Sequence, residues 1–488
     1  MSFQSHAFLL IFLPLVLAGV AGLRRAAPGL LKPFLITASF GFYASWQPAC
    51  LPIFLASIAG NRLAAEALHL TEAPAPRRAI LGLAIAANLG LLIWFRYLTD
   101  WLAPIGITLP VAPLLIPLGI SFFTFTQIGY LLDCHAGIET RRSLADQVLF
   151  VAFFPSLIAG PVLTAREMMP QITELERRSP RFEDLAQGAG IFLIGLLKKT
   201  LFADPLAPLV AEGHATPDAL GLFGAWQVAL SYFLQLYFDF SGYSDMTVGL
   251  GRMFGLRLPW NFASPYQARG VIEYWQRWHI SLTRFFMASL HAPLAMAILR
   301  WRRARGLGVD RAAQRRPMGF LAMHAAPLGV TMALAGVWHG ANLTFLVFGL
   351  LHAVFLAVNH AWRLYRPVPS PARWRRVGSV GLTCLCVLVG SVVFRADSVG
   401  SALSLLAGMA GARGIEPLAL SPRTLAEGAT LVVLFAIVWG APNTRAIMED
   451  GRRWSWRPSL PWAIASGLAT TIGLLSAGGG AEFLYARF

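Results

Sequence analysis

The stretch FLAMHAAPLGVTMALAGVWHGANLTFLVFGLLHAVFLAV, residues 320–358, is two apolar runs joined by a short polar break that carries a histidine. A membrane-crossing helix needs roughly 20 predominantly apolar residues. Phe320–Trp338 and Ala341–Val358 each approach that length, and Gly336-Val337-Trp338-His339-Gly340-Ala341-Asn342 falls between them. Buried at membrane depth, a histidine is costly unless it faces a cavity or a partner. Gly340 and Ala341 leave room beside His339 for a substrate or a closely packed helix. A histidine that hydrogen-bonds a neighbouring helix would read the same way, so the pattern alone leaves both roles open.

Working outward, the same apolar character recurs. Further candidate spans are Ala7–Leu23, Pro33–Trp46, Ala79–Phe95, Ala112–Leu132, Val148–Leu163, Leu185–Leu197, Ala219–Phe240, Val377–Phe394, Leu425–Val438 and Trp462–Ser476. Ala49–Gly60 and Phe285–Leu299 are shorter or ambiguous. About a dozen spans are expected, in an all-α integral membrane protein of roughly 11–14 transmembrane helices. Composition agrees: 56% of the 488 residues are hydrophobic and 13% charged, against about 25% charged in soluble chains. Mean hydropathy is +0.59. No soluble domain of ordinary size fits between the spans, and the whole chain reads as one polytopic membrane domain.

The net charge of +16 sits in loops, notably Arg77–Arg78, Arg141–Arg142, Arg177–Arg178, Arg363–Arg376, Arg452–Arg453 and WRRARGLGVDRAAQRR at 301–316. This is the distribution of positive-inside loops, with anionic membrane lipids rather than nucleic acid as partners. Arg24 and Arg25 follow the first apolar run, the reverse of a secretory signal, so a retained first helix with an outside N-terminus is expected.

One segment departs from the apolar pattern. Residues 237–284 read YFDFSGYSDMTVGLGRMFGLRLPWNFASPYQARGVIEYWQRWHISLTR, rich in aromatics, glycine and charge. Such a segment suits a re-entrant, cavity-lining path shielded by other helices. His279 lies here. Asp239 and Asp245 are expected to pair with Arg252, Arg257 or Arg277, or else to orient a histidine, and Glu273 to pair with Arg277 across one helical turn. No HExxH motif, zinc-type cysteine spacing, P-loop or GxSxG motif is present, and no metal site is expected. Gly190–Gly195 and Lys198-Lys199-Thr200 read as an apolar helix with a basic cytosolic end.

Together, PLGISFFTFTQIGYLLD (117–133), FFPSLIAGPVL (153–163), the run from Phe238 to Thr283, GVWHGANLTFLVFGLLHA (336–353) and FRAD (394–397) resemble the membrane-bound O-acyltransferase family, most of all its alginate-acetylase-like branch. The resemblance covers a core of about 117–397. It implies a helical bundle around a tunnel, with re-entrant helices at its centre. It implies acyl transfer from a cytosolic thioester, acetyl-CoA or an acyl carrier, to a hydroxyl on an exported polysaccharide or on a secreted SGNH-type acetyltransferase, in the cell's inner membrane. It assigns His339 as catalytic base and His279 as the second active-site histidine. No bound cofactor is implied. Trp338, Asn342, Trp278, Arg277, Asp239, Ser241, Tyr243, Asp245, Asn261 and Tyr266 are then expected to line the cavity or bind substrate, and the two tryptophans to exclude water. D-alanyl transfer, or acylation of a lipid or protein, fits the same family, and a transporter of a lipid-linked substrate is the reading from another class. After RWHISLT the chain runs RFFMASLHAPLAMAILRWRRARG, where alginate-type members carry a tyrosine-rich stretch and a Pro-Leu-Gly-Gly turn.

Overall fold

The computed structural model describes residues 1–102, 116–177, 181–366, 373–416, 421–449, 455–477 and 483–484. Residues 112–115, Arg178, 367–372 and Arg452–Arg453, which belong to segments named above, lie outside them. No strand occurs among the described residues, and nine helices there are long and apolar enough to cross a membrane. The main helices are α1 (Ala7–Ala26), α2 (Leu31–Ala44), α3 (Pro48–Leu70), α4 (Pro74–Arg96), α5 (Ile120–His135), α6 (Leu144–Ala152), α7 (Phe182–Ala215) and α8 (Leu222–Met253). They continue with α9 (Ile280–Ala304), α10 (Pro317–His339), α11 (Leu343–Tyr365), α12 (Trp374–Arg395), α13 (Val399–Met409), α14 (Pro422–Gly440) and α15 (Leu460–Ser476).

Several expected boundaries move. Ala49–Gly60 is part of a full-length helix, α3, and Phe285–Leu299 part of α9. The expected span Val148–Leu163 breaks at Phe153 into α6 and the turn Phe154–Leu157. The largest difference is at FDFSGYSD, which does not interrupt the backbone: α8 runs 32 residues through it. Its polar side chains are buried, Asp239, Ser241, Ser244 and Asp245 all being 3% exposed or less. Shielded from lipid, they leave the helical hydrogen-bond ladder intact, so the polarity marks an interior helix and not a break. Within residues 237–284, irregular backbone is confined to the stretch between Met253 and His279.

The chain divides into two compact units. The first comprises Met1–Leu201, Asp239–Trp260 and Thr444–Phe488, the second Phe202–Phe238 and Asn261–Asn443. In the first unit, α7 and α8 approach through two reciprocal glycine pairs. A Cβ on Gly188 would fall 2.7 Å from the Gly249 carbonyl oxygen, and one on Gly249 2.5 Å from that of Gly188. Gly195 and Gly242 repeat the arrangement at 2.5 and 2.7 Å. Small residues let backbones meet closely where lipid supplies no hydrophobic force between helices. In α3 and α4 the carboxamides of Asn61 and Asn88 hydrogen-bond each other, at 3.1 and 2.8 Å. A polar pair inside an apolar hairpin ties the two helices together.

In the second unit, α10 and α11 form the hairpin foreseen around WHGAN. A Cβ on Gly336 would lie 2.2 Å from the Phe345 carbonyl oxygen, and one on Gly349 2.2 Å from that of Met332. Asn342 starts α11: its Oδ1 accepts the Thr344 N–H at 3.1 Å, and its Nδ2 donates to the Asp397 carbonyl at 2.8 Å. The break between the spans is therefore a rigid cap that also holds the FRAD segment.

Candidate active site

His279 and His339 both belong to the second unit. His279 occupies the position before α9 with φ 42° and ψ 54°, the left-handed region. A non-glycine residue there is strained by about 1–2 kcal/mol, so the surroundings must hold it. Asn261 does so from the opposite side of the turn. Its carbonyl accepts the Ile280 N–H at 3.0 Å. Its Oδ1 accepts both the Ser281 N–H at 3.1 Å and the Ser281 Oγ–H at 2.6 Å. The Ala263 N–H donates to the Arg277 carbonyl at 3.0 Å and closes the same turn. Asn261 thus holds the turn that carries His279, and it is not among the described residues of the cavity wall that includes His339. Asn261→Ala is expected to lower the acyl-transfer rate at least about tenfold with KM little changed, because a buried N–H and hydroxyl lose their acceptor. Ser281→Ala, which keeps the Ser281 N–H bond to Asn261 Oδ1 and loses only the hydroxyl bond, is expected to retain most of the rate. Steady-state kinetics on the two variants, with unfolding midpoints in detergent, checks this.

His339 is the last residue of α10 and is 6% exposed. Its ring meets Phe394 edge-on at 4.9 Å and 84°, with Phe345 and Phe348 each at 6.1 Å. Trp338 links the two histidines: its ring centroid is 4.8 Å from His339 and 6.2 Å from His279. A cavity of about 290 Å³ opens onto His339. Its wall includes Gln276, Thr283, Phe286, Met287, Met332 and Phe348. It follows α10 from His339 back to Leu328 and α11 from Phe348 to His360. At 1.5 Å per residue these walls are roughly 16 and 18 Å long. Phe286, Met287 and His291 of the wall come from RFFMASLH, the stretch where the sequence departs from the alginate-type pattern.

Comparison with known proteins identifies the family of the chain. The model of the membrane-bound O-acyltransferase family matches residues 135–305. The peptidoglycan O-acetyltransferase of Helicobacter pylori is 34% identical, over 85% of this chain and 80% of that protein. The chain belongs to the membrane-bound O-acyltransferase family. A probable alginate O-acetylase of Azotobacter vinelandii is 35% identical over 90% of this chain and 84% of its own, and a teichoic acid D-alanyltransferase of Streptococcus thermophilus 25% identical over 57% and 68%. This multi-pass membrane-bound O-acyltransferase is therefore an enzyme, and the transporter reading falls away.

The remaining candidates of this O-acyltransferase divide between the units. In the second, Arg277 pairs with Glu273 at 2.6 Å, as expected from their spacing. Tyr266 donates to the Phe233 carbonyl at 2.7 Å and stacks on the Phe233 ring at 3.8 Å. Trp278 packs on Phe262, Tyr274 and Tyr266. Neither Trp278 nor Trp338 is among the described residues that form the cavity wall. Trp338 packs against both histidines instead.

In the first unit, Asp239 and Asp245 do not pair with Arg252, Arg257 or Arg277. Asp239 meets Lys199 at 2.7 Å and accepts the Leu484 N–H at 3.0 Å. Asp245 meets Lys198 at 2.7 Å and accepts from the Thr444 hydroxyl. The glycine crossing of α7 on α8 brings the two lysines to the two aspartates, 40 and 47 residues away in sequence. Lys198-Lys199 is consequently no solvated cytosolic end: the Lys199 side chain is 3% exposed. Ser241 is fully buried, and Tyr243 stacks on Phe483 at 4.2 Å and Phe3 at 5.0 Å.

Proposed function

We propose that this enzyme transfers an acetyl group from a pantetheine thioester, acetyl-CoA in the first place, to a hydroxyl of an exported glycan at the cell's inner membrane. The glycan receives it directly or through a secreted SGNH-type acetyltransferase. The observation that carries the reading is the largely apolar cavity whose wall includes His339. Counted from its sulfur, a pantetheine arm reaches its phosphorus in thirteen bonds. An extended chain advances about 3.5 Å per three bonds, so the arm spans roughly 15 Å. That length matches the walls along α10 and α11. At about 290 Å³ the cavity is at the lower end of the range for small-molecule sites, which favours a short acyl group.

In this reading the His339 imidazole takes the proton from the acceptor hydroxyl as its oxygen attacks the thioester carbonyl. The carbonyl becomes an oxyanion, stabilised by an N–H donor of His279. Collapse of that intermediate breaks the carbon–sulfur bond. The thiolate leaves with the proton held on His339, and the products are an O-acetyl ester and a free thiol. Trp338, Phe345, Phe348 and Phe394 around His339 keep water from competing with the hydroxyl. Purified enzyme in lipid nanodiscs, given radiolabelled acetyl-CoA with peptidoglycan fragments or uronate oligosaccharides, is expected to release thiol and to place alkali-labile label on a saccharide. Folded enzyme that labels neither saccharide nor a supplied SGNH-type protein would overturn the proposal.

A further inference from the structure

We infer that the end of the cavity remote from His339, where His291, His324 and His360 converge, is a binding site for the phosphate of the thioester donor. The inference rests on the donor lying in this cavity as proposed above. The three histidines come from three different helices, α9, α10 and α11. His291 and His360 both form part of the cavity wall. His324 stacks on His360 with centroids 5.8 Å apart and planes at 29°. Its Nε2 lies 3.2 Å from Gln314 Oε1, which ties the group to the basic stretch 301–316. His291 Nδ1 lies 3.3 Å from Thr331 Oγ1. Arg363, exposed and three residues beyond His360 on α11, shares its helical face.

Nothing in an apolar cavity calls for imidazoles. Leu328, Met332, Ala335 and Leu356 supply the rest of this part of the wall, and an acyl chain or lipid tail would be served by more of the same. Imidazole N–H groups with a nearby guanidinium are the chemistry of an anion site, and phosphate oxygens accept such donors strongly. A metal centre is not the alternative: among the described residues these histidines form no group able to hold an ion. Distance decides the assignment. Along α11, His360 is twelve residues from Phe348, which faces His339, or roughly 18 Å. A thioester carbonyl at His339 therefore sets the phosphorus, roughly 15 Å down the arm, beside the histidine group. The same phosphate is present in coenzyme A and in the prosthetic arm of a carrier protein, so the site reads the feature common to both.

Isothermal titration of nanodisc-embedded enzyme with the thioether analogues of acetyl-pantetheine, acetyl-4′-phosphopantetheine and acetyl-CoA tests this without an acceptor. In the wild type, the phosphopantetheine analogue is expected to bind about tenfold or more tighter than the pantetheine analogue, the worth of a charge-assisted hydrogen bond. His360→Ala and His291→Ala are expected to remove most of that difference while leaving the pantetheine analogue unchanged. His360→Leu, which keeps much of the side chain's bulk but donates no hydrogen bond, should behave as His360→Ala does. Tightest binding by the CoA analogue assigns the phosphate to coenzyme A. Still tighter binding by a carrier protein bearing the same thioether assigns it to the carrier, and both results retain the site. Equal affinity for the analogues with and without phosphate in the wild type, or a difference untouched in all three variants, overturns the inference. Failure of every analogue to bind folded enzyme would instead remove the donor reading on which it rests.

Discussion

His339→Ala is expected to lower kcat/KM for acyl transfer by roughly 100- to 10,000-fold, the range of a general base, with the protein still folded. A hydroxyl is too weak a nucleophile to attack a thioester at neutral pH unless its proton leaves as the bond forms. His339 lies on the cavity wall, and no carboxylate forms part of the described wall. The protein should tolerate the change, because the ring is surrounded by Trp338, Phe345, Phe348 and Phe394. His339→Gln separates chemistry from packing: it keeps polarity and approximate size but accepts no proton, so its rate should fall as far as that of the alanine variant. Measurement is thiol release from acetyl-CoA in the presence of acceptor, with unfolding midpoints alongside. Wild-type rates in the glutamine variant would remove His339 from the base role.

The largest stability effect is expected at Lys199. Lys199→Ala leaves the Asp239 carboxylate 1% exposed, with the Leu484 amide as its remaining donor among the described residues. An uncompensated buried charge of this kind costs about 3–5 kcal/mol. A fall of that size should appear as poor recovery from the membrane and a markedly lower unfolding midpoint in detergent. Removing both charges as Lys199→Met with Asp239→Leu should restore most of the loss, since a buried pair exchanged for apolar residues of similar size is often neutral. Lys198→Ala should cost less, its side chain being 12% exposed and Asp245 retaining the Thr444 hydroxyl. An unchanged midpoint in Lys199→Ala would show that the pair carries no such energy.

These outcomes bear on what the sequence could disclose. The multi-span membrane architecture and the WHGAN hairpin follow from apolar run length, because lipid enforces a minimum on it, whereas several individual boundaries do not. His279 and His339 stood out as polar groups in apolar surroundings, and the structure links both through Trp338. The partners of Asp239 and Asp245 were hidden, since they depend on where α7 crosses α8 and not on any local spacing. Arginines nearer in sequence were the natural guess, yet Arg277 is satisfied by Glu273. The polarity of FDFSGYSD suggested a broken backbone. It belongs to a continuous helix because a pattern records side-chain chemistry and not what shields it. His291 and His360 were passed over for a related reason: each looks incidental within its own helix, and only the packing of α9, α10 and α11 puts them on the cavity that reaches His339.

The reciprocal glycines of α7 and α8 have a consequence for genetics. Most core clashes admit suppressors: a bulky replacement is rescued when its neighbour is made smaller. At positions 188, 195, 242 and 249 the neighbour is a carbonyl oxygen 2.5–2.7 Å from the new Cβ, and every amino acid has that oxygen. No exchange at the facing position can relieve it. A revertant search starting from a substitution at one of these glycines should therefore return only true revertants or distant changes that separate the helices, and never a compensating partner across the crossing.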